Sequence, residues 1–296
     1  MSEFISLRSG SARAIIAPLA AALRSYSRDG ADLVEANLDP VAPGGSGLTL
    51  APWPNRIAEG RWVLEGEVQQ LDITEVSRGN AIHGLLRNTG YAVESRSESE
   101  VRLVATIYPQ HGYPFQLTHR VSYRLEPDES LRVSQSLHND SQLAAPVALG
   151  AHPYLRIAEL PTEELRLSVQ AGTELLVDEK MIPIEPASVS ADSDLRRGRR
   201  VAELEMDRSY TDLAFAPDGL ARHTLSAPDG RSVTLWQDKA CQYVHIYVST
   251  GFPGRNKAVA IEPMSAPANS FNSARGLHWL SPGEEFAIEW GIESVL

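Results

Sequence analysis

The sequence predicts an all-β chain in which large antiparallel sheets pack face to face as one sandwich. Three features carry that reading. Short strand-like runs broken by Gly, Pro, Asn and Asp recur from one end to the other. Helical spacing of apolar residues is hard to find. Where a run is long enough to judge, apolar and polar positions alternate: in FQLTHRVSYRL, Phe115, Leu117, His119, Val121 and Tyr123 share one face, and Gln116, Thr118, Arg120, Ser122 and Arg124 share the other. That alternation marks a half-buried antiparallel strand. Each sheet must bury one face, and without a helical layer the covering surface is another sheet. No composition shift, linker or internal repeat marks a boundary, so residues 1–296 are expected to form a single domain.

Taken in order, ISLRS opens the chain as a strand. From Arg13, the run AIIAPLAAAL resembles the basic and apolar parts of a secretory leader. Glu3 in the polar start SEFISLRSGSAR, Pro18 inside the run and RSYSRDG after it favour an internal strand pair instead, which is the expectation. WVLEG, VQQLDIT, YAVESRS and VRLVATIY follow as strands, then FQLTHRVSYRL, LRVSQSLHN and LRLSVQ. The stretch from Asp178 to Arg208 is the least regular, with Pro183, Pro186, a serine-rich bend and the cluster RRGRR. A solvated loop is the expectation there, rather than a basic binding patch. VTLWQ, YVHIYVS and EFAIEWGI complete the set. No apolar stretch approaches the roughly 20 residues that span a bilayer.

Composition narrows the classes of partner. Hydrophobic residues make up 43% and charged residues 22%, enough for a large core. Acidic residues outnumber basic ones, 38 to 27, and the formal charge of −11 repels phosphate backbones and anionic lipid. Nucleic acid and membrane are therefore not expected as partners. The lone Cys241 cannot form an intramolecular disulfide and suits a reducing compartment, so a cytoplasmic location is expected.

Chemistry concentrates between Tyr243 and Asn272. In the strand around AVAIEP, Ala258, Ala260 and Glu262 share a face, and the two alanines leave open space beside the carboxylate. The run is expected to break at Pro263, which would put Glu262 at a strand end on a pocket rim. A solvated edge charge explains such a residue equally well. Three other stretches carry polar side chains among turn residues: LAPWPNRIAEGRW with Asn55 and Arg56, NAIHGLLRNTGY with His83, and ALGAHPYLRI with His152 and Tyr154. Taken alone, each histidine reads first as a loop hydrogen-bonding group. Metal binding finds no HExxH pair, second Cys or tight His spacing. Ser46 in GGSG lacks the spacing of a nucleophile elbow, and PGGSG lacks the Lys-Ser/Thr of a phosphate loop. What remains is a carboxylate and an imidazole, Glu262 and His152, far apart along the chain.

NRIAEGRW, IHGLLRN, HPYLRI, the Asp of YTDLAF, and AIEP followed by APANSFN stand in the order found in aldose 1-epimerases, and the whole chain resembles that family. The resemblance implies a galactose-mutarotase-like β-supersandwich and a cofactor-free, metal-free isomerase that holds a small-molecule sugar in a cleft. It implies Glu262 as general base and His152 as general acid. Arg56, His83 and Asp212 match the family's sugar ligands, with Asn55 alongside. Interconverting anomers requires removing the C1 hydroxyl proton while protonating the ring oxygen, so one base and one acid suffice. A partly desolvated carboxylate and an imidazole are suited to those tasks, and Arg56 is a candidate to hold charge developing on the ring oxygen.

Departures from the pattern bear on substrate. Leu155 and Arg156 stand where many members have Phe-Asn after the acid motif. Pro267 and Ala268 replace the usual Pro-Asp before Asn269, and Ala20 stands where Gly is expected. Arg156, close to His152, is a candidate reader of a sulfonated, phosphorylated or uronic sugar, though an exposed charge is the plainer explanation. Trp53, Tyr154 and Trp236 are candidate stacking surfaces, with core packing preferred for Trp236. His119, His138, His223, His245 and His278 are given no role. Two other classes stay open: a glycoside hydrolase, for which Asp212 with Glu262 is the available carboxylate pair, and a non-catalytic sugar-binding module.

Overall fold

The computed structural model of the protein describes residues 4–39 and 41–296, which leaves Glu3 of the polar start outside the described residues. It is built almost wholly of antiparallel strands. A nine-stranded sheet runs through Glu100–Ile107, Leu117–Leu125, Leu131–Asn139 and Glu285–Val295, and an eight-stranded sheet through Asp207–Leu213, Tyr243–Ser249 and Ala258–Met264. A four-stranded sheet covers the N-terminal part. Among the described residues the one α-helix is the single turn Ser270–Ser273. The all-β reading, with large antiparallel sheets of the mutarotase-like kind, describes the molecule.

Side-chain periodicity places the core. Leu117, His119, Val121 and Tyr123 are all buried, while Arg120 and Arg124 face water. In the eight-stranded sheet, Val244, Ile246, Val259 and Ile261 turn inward and join a hydrophobic cluster with Leu103, Val133, Leu235 and Ile292 of the nine-stranded sheet. The other face of those strands, carrying His245, Tyr247 and Glu262, is thereby left for a site.

The AIIAPLAAAL run is a strand pair, Ala12–Ala17 and Ala22–Arg28, with Ile16 and Leu23 buried in the core. Ala20 and Ala21 link the strands at φ 58° and 46°. This left-handed turn accounts physically for the glycine expected at position 20. The segment read as irregular holds more structure than expected: Pro183–Ser188 is the edge strand of the eight-stranded sheet. Its two prolines fit there because an edge strand has one side free of ladder bonds.

Candidate active site

Glu262 does not end its strand. The strand continues through Pro263 to Met264, and Glu262 sits inside it, 1% exposed, opposite His245 on the neighbouring strand. The expected break fails for a local reason. On the far side, the Ile261 and Ser265 N–H groups donate to the Pro153 and Leu149 carbonyls. Pro263, which has no N–H, falls between them, where the facing chain bulges outward at His152–Pro153. The residue that cannot donate thus lies opposite the bulge that presents His152.

That bulge brings acid and base together. His152 Nε2 lies 3.3 Å from Glu262 Oε1, and both side chains line a cavity of about 930 Å³. Glu262 Oε2 and His152 Nδ1 have no hydrogen-bond partner, which leaves one acceptor on the carboxylate unspent. Burial pushes the imidazole below its usual pKa of 6.5, against the pull of the Glu262 charge. The ring is stacked on Tyr154 (centroids 5.2 Å, 24°) and meets His83 edge-on at 5.4 Å.

The opposite wall is built from Asn55, Arg56 and His83. Arg56–Ile57 pairs with Ala81–Ile82, so the two loops meet: His83 N–H donates to the Asn55 carbonyl at 2.8 Å, and Asn55 N–H donates to His83 Nδ1 at 3.3 Å. Since Nδ1 accepts, a neutral His83 carries its proton on Nε2, where it can donate to a sugar hydroxyl. Burial, then the neighbouring His152 and Arg56, hold His83 well below its usual pKa, so it is neutral at pH 7. Gly84, at φ +72°, lets this loop lie against the Ala51 carbonyl. Arg56 makes a forked pair with Glu75 at 2.9 and 3.0 Å and donates to Asn55 Oδ1 at 3.0 Å. Burial pushes the Glu75 carboxyl up, but the Arg56 and Arg78 guanidinium groups outweigh it and hold it below the usual range.

Two of the expected ligands lie elsewhere. Asp212 is exposed in a shallow depression with Thr173, Tyr243 and Arg275, and its carboxylate accepts from the Thr173 hydroxyl. The aspartate in the cavity is Asp207, five positions earlier in the same strand. An odd offset puts the two on opposite faces, about 17 Å apart along an extended chain. The pair nominated for glycoside hydrolysis is therefore not brought together. Tyr154 does not line the cavity either. It lies behind His152, packed on Phe252 (4.9 Å between centroids), with its hydroxyl donating to the Gly44 carbonyl at 3.3 Å. It supports the acid rather than touching a ligand.

Arg156 is turned away from the cavity and 8% exposed, paired with the buried Glu35 at 3.4 Å. It is neither exposed nor placed to read a substrate. Trp53 is a core residue set edge-on to Phe271, and Trp236 is covered by Arg132. The cavity's own aromatic side chain is Tyr247.

Besides Asp207 and Tyr247, sequence reasoning missed His245, Glu75, Arg78 and Arg87, all lining the cavity. A usable signal existed for His245. YVHIYVS and AVAIEP read as adjacent strands, and pairing them antiparallel sets His245 against Glu262. His245 Nε2 lies 2.9 Å from Asp207 Oδ1, and Nδ1 lies 2.8 Å from the Ser209 hydroxyl. Burial pushes the Asp207 carboxyl up, but the His245 hydrogen bond and charge, with Arg56 and Arg78, bring it down to about 2. PGGSG also has a place: Gly44 and Gly45 line the cavity, and Gly45 lies against the edge of the His152 ring. Among the described residues no group of three His, Cys, Asp or Glu side chains is arranged to hold a metal ion, and no helix is long and apolar enough to cross a membrane.

The family model for aldose 1-epimerase matches residues 3–293. The chain belongs to the aldose 1-epimerase family. Within and around this family, the chain is 31% identical over 293 residues to the uncharacterized protein YihR of Escherichia coli K12, covering 98% of this chain and 92% of that one. Its fold is similar to a galactose mutarotase-like protein from Clostridium acetobutylicum, with a TM-score of 0.87 at 19% identity over 99% of this chain and 95% of the other. It is also similar to galactose 1-epimerase from Lactobacillus acidophilus, with a TM-score of 0.83 at 18% identity over 99% and 94%. As a member of this family of sugar epimerases, the chain is of an isomerase type.

Proposed function

We propose that this aldose 1-epimerase family member interconverts the α and β anomers of a hexose or hexose derivative, without a cofactor, in the cytoplasm. The observation that carries the reading is the contact between His152 Nε2 and Glu262 Oε1 on one cavity wall. The hydroxyl on C1 and the ring oxygen are both bonded to C1, so the groups that serve them must be near neighbours. Glu262 takes the C1 hydroxyl proton as His152 gives one to the ring oxygen. The C1–ring-oxygen bond breaks, the aldehyde end turns, and the steps run in reverse. Neutral His83 donates to a hydroxyl, ionised Asp207 accepts from another, and Arg56, fixed by Glu75, offers its remaining N–H groups to the sugar. Tyr247 gives the apolar face of a pyranose a surface to lie on. The buried, reduced Cys241 supports a reducing location.

The test is anomer exchange of freshly dissolved α-glucose and α-galactose, followed by polarimetry or exchange NMR, with anionic hexoses included in the panel. Acceleration is expected, and Glu262→Gln and His152→Ala should each lower it by about 10²–10⁴-fold. No acceleration with any sugar of the panel removes the proposal.

A further inference from the structure

The row of side chains across the cavity floor contains a hydrogen-bonded chain that the acid–base chemistry does not use. In strand register, Ser209 stands opposite His245 and His245 opposite Glu262, so the imidazole lies between a hydroxyl and the base. Yet both ring nitrogens turn away from Glu262, towards the Asp207–Leu213 strand: Nδ1 to Ser209 Oγ at 2.8 Å and Nε2 to Asp207 Oδ1 at 2.9 Å. Serine, histidine and aspartate in contact suggest a hydrolytic triad, but the geometry denies it. Ser209 is buried and does not line the cavity, so its hydroxyl has no path to a substrate. The end of the chain that reaches the cavity is Asp207, whose second oxygen, Oδ2, lies 3.8 Å from Arg56 Nη2.

We propose that Ser209 and His245 are positioning residues that lock Asp207 as the acceptor for one sugar hydroxyl. The inference rests on the anomer-exchange reading and extends it. An ionised carboxylate only accepts, so His245 Nε2 is the donor in the 2.9 Å contact. In a neutral ring Nδ1 then accepts from the Ser209 hydroxyl, and this second bond fixes which nitrogen carries the proton and how the ring is turned. Asp207 Oδ1 is thereby occupied, and Oδ2, beside the Arg56 guanidinium, is left for the ligand. The two form an acceptor and a donor side by side, suited to neighbouring hydroxyls of a pyranose. Charged groups around His245 come from every side: Asp207 on its own sheet neighbour, Glu262 on the other, His152 and His83 from the loops, and Arg56 and Arg78 beyond Asp207. Without the His245 bond, the depression of the Asp207 carboxyl is partly lost, and the group becomes a poorer acceptor.

The experiment is a double-mutant cycle read by exchange NMR with a sugar that the wild-type protein turns over. His245→Phe is expected to raise KM about 10-fold or more while kcat stays within about 3-fold. His245→Gln, which keeps an N–H donor, should recover most of the loss. In an Asp207→Asn background His245→Phe should add nothing, because the residue acts through Asp207. Additive losses, or a loss confined to kcat, overturn the proposal. If phenylalanine is not tolerated, Ser209→Ala carries the same cycle with a smaller effect in the same direction. A second measurement needs no turnover. In ¹³C spectra of aspartate-labelled protein, the Asp207 carboxyl should stay ionised down to about pH 2 in the wild type and titrate at a higher pH in His245→Gln and higher still in His245→Phe. An unchanged titration overturns this inference whatever sugar the protein accepts, while failed anomer exchange with a shifted titration counts against the enzymatic reading alone.

Discussion

Burial sets the ionisation of the histidines that matter here. His83 and His152 are held below the usual value of 6.5 by the cavity wall, and two core histidines go further, His119 to about 3 and His223 to about 4. His119 is bonded to the Tyr91 hydroxyl at 2.6 Å, and His223 to Gln237 at 3.2 Å. Both are neutral in the folded protein at pH 5, whereas in the unfolded chain they are protonated there. The unfolded state therefore binds more protons below about 6.5, and folding stability falls as pH drops. For His119 and His223 alone the loss between neutral pH and pH 5 is about 2 kcal/mol each. Thermal unfolding followed from pH 8 to pH 5 should show a Tm that falls by several degrees. A flat profile would mean that these rings are protonated in the folded protein. His152 belongs to the same set, so acidification that weakens the fold also charges the proposed acid.

The loop carrying His83 shows how a short element fixes two catalytic walls at once. The two-residue pairing of Arg56–Ile57 with Ala81–Ile82 is too small to be stable alone, and its register is held by Gly84 against the Ala51 backbone. A Cβ at residue 84 would stand 2.0 Å from the Ala51 carbonyl oxygen, at a φ of +72°. Gly84→Ala should thus displace His83 from Asn55. Expected are a loss of more than about 1 kcal/mol of stability and a raised KM, both read on the same preparation by denaturation and exchange kinetics. Unchanged kinetics would show that the loop closes by other means. Elements of this length also mark where sequence reading stops. The alternation in FQLTHRVSYRL and the faces of the Glu262 strand were legible because period-2 patterns report the covering surface directly. Asp207 and Asp212 were not separable by composition, since only the strand register says which aspartate faces the cavity. Tyr154 and Arg156 flank the acid motif in sequence, but the outward kink at His152–Pro153 sends their side chains to the far side of it. Glu262 was placed at a strand end because Pro263 reads as a breaker, and the gap in the facing strand that accommodates the proline lies about 110 residues away in sequence.

Across the molecule, the family's motif residues come from loops and strands spread from Asn55 to Glu262, and the N-terminal sheet closes the core behind them. Ile5, Leu7, Ile16, Leu23 and Tyr26 are all buried, Tyr26 donates to the Glu129 carbonyl at 2.7 Å, and Tyr123 donates to the Ala21 carbonyl at 2.7 Å. Burying each large apolar side chain is worth about 1.5–3 kcal/mol, so these five together approach the roughly 5–15 kcal/mol by which a domain is stable. A chain beginning at residue 29 should lack a cooperative thermal transition and bind a hydrophobic dye. A sharp transition near the full-length Tm would show that the remaining sheets stand without it. The general architecture and the meeting of residues 152 and 262 were legible because each depends on a pattern repeated or ordered along the whole chain. The cavity's ionic frame of Glu75, Arg78 and Asp207 was not, because each is an ordinary charged residue until the fold aims it.

The 3.3 Å contact between His152 and Glu262 governs the aftermath of an abortive event. If an opened sugar escapes as the free aldehyde, it leaves a protonated carboxyl beside a ring that has just lost its proton. Those two atoms already touch, so the proton can hop straight back and rearm the pair with no help from bulk water. Leakage of the linear form would then waste one encounter and leave the next one unharmed.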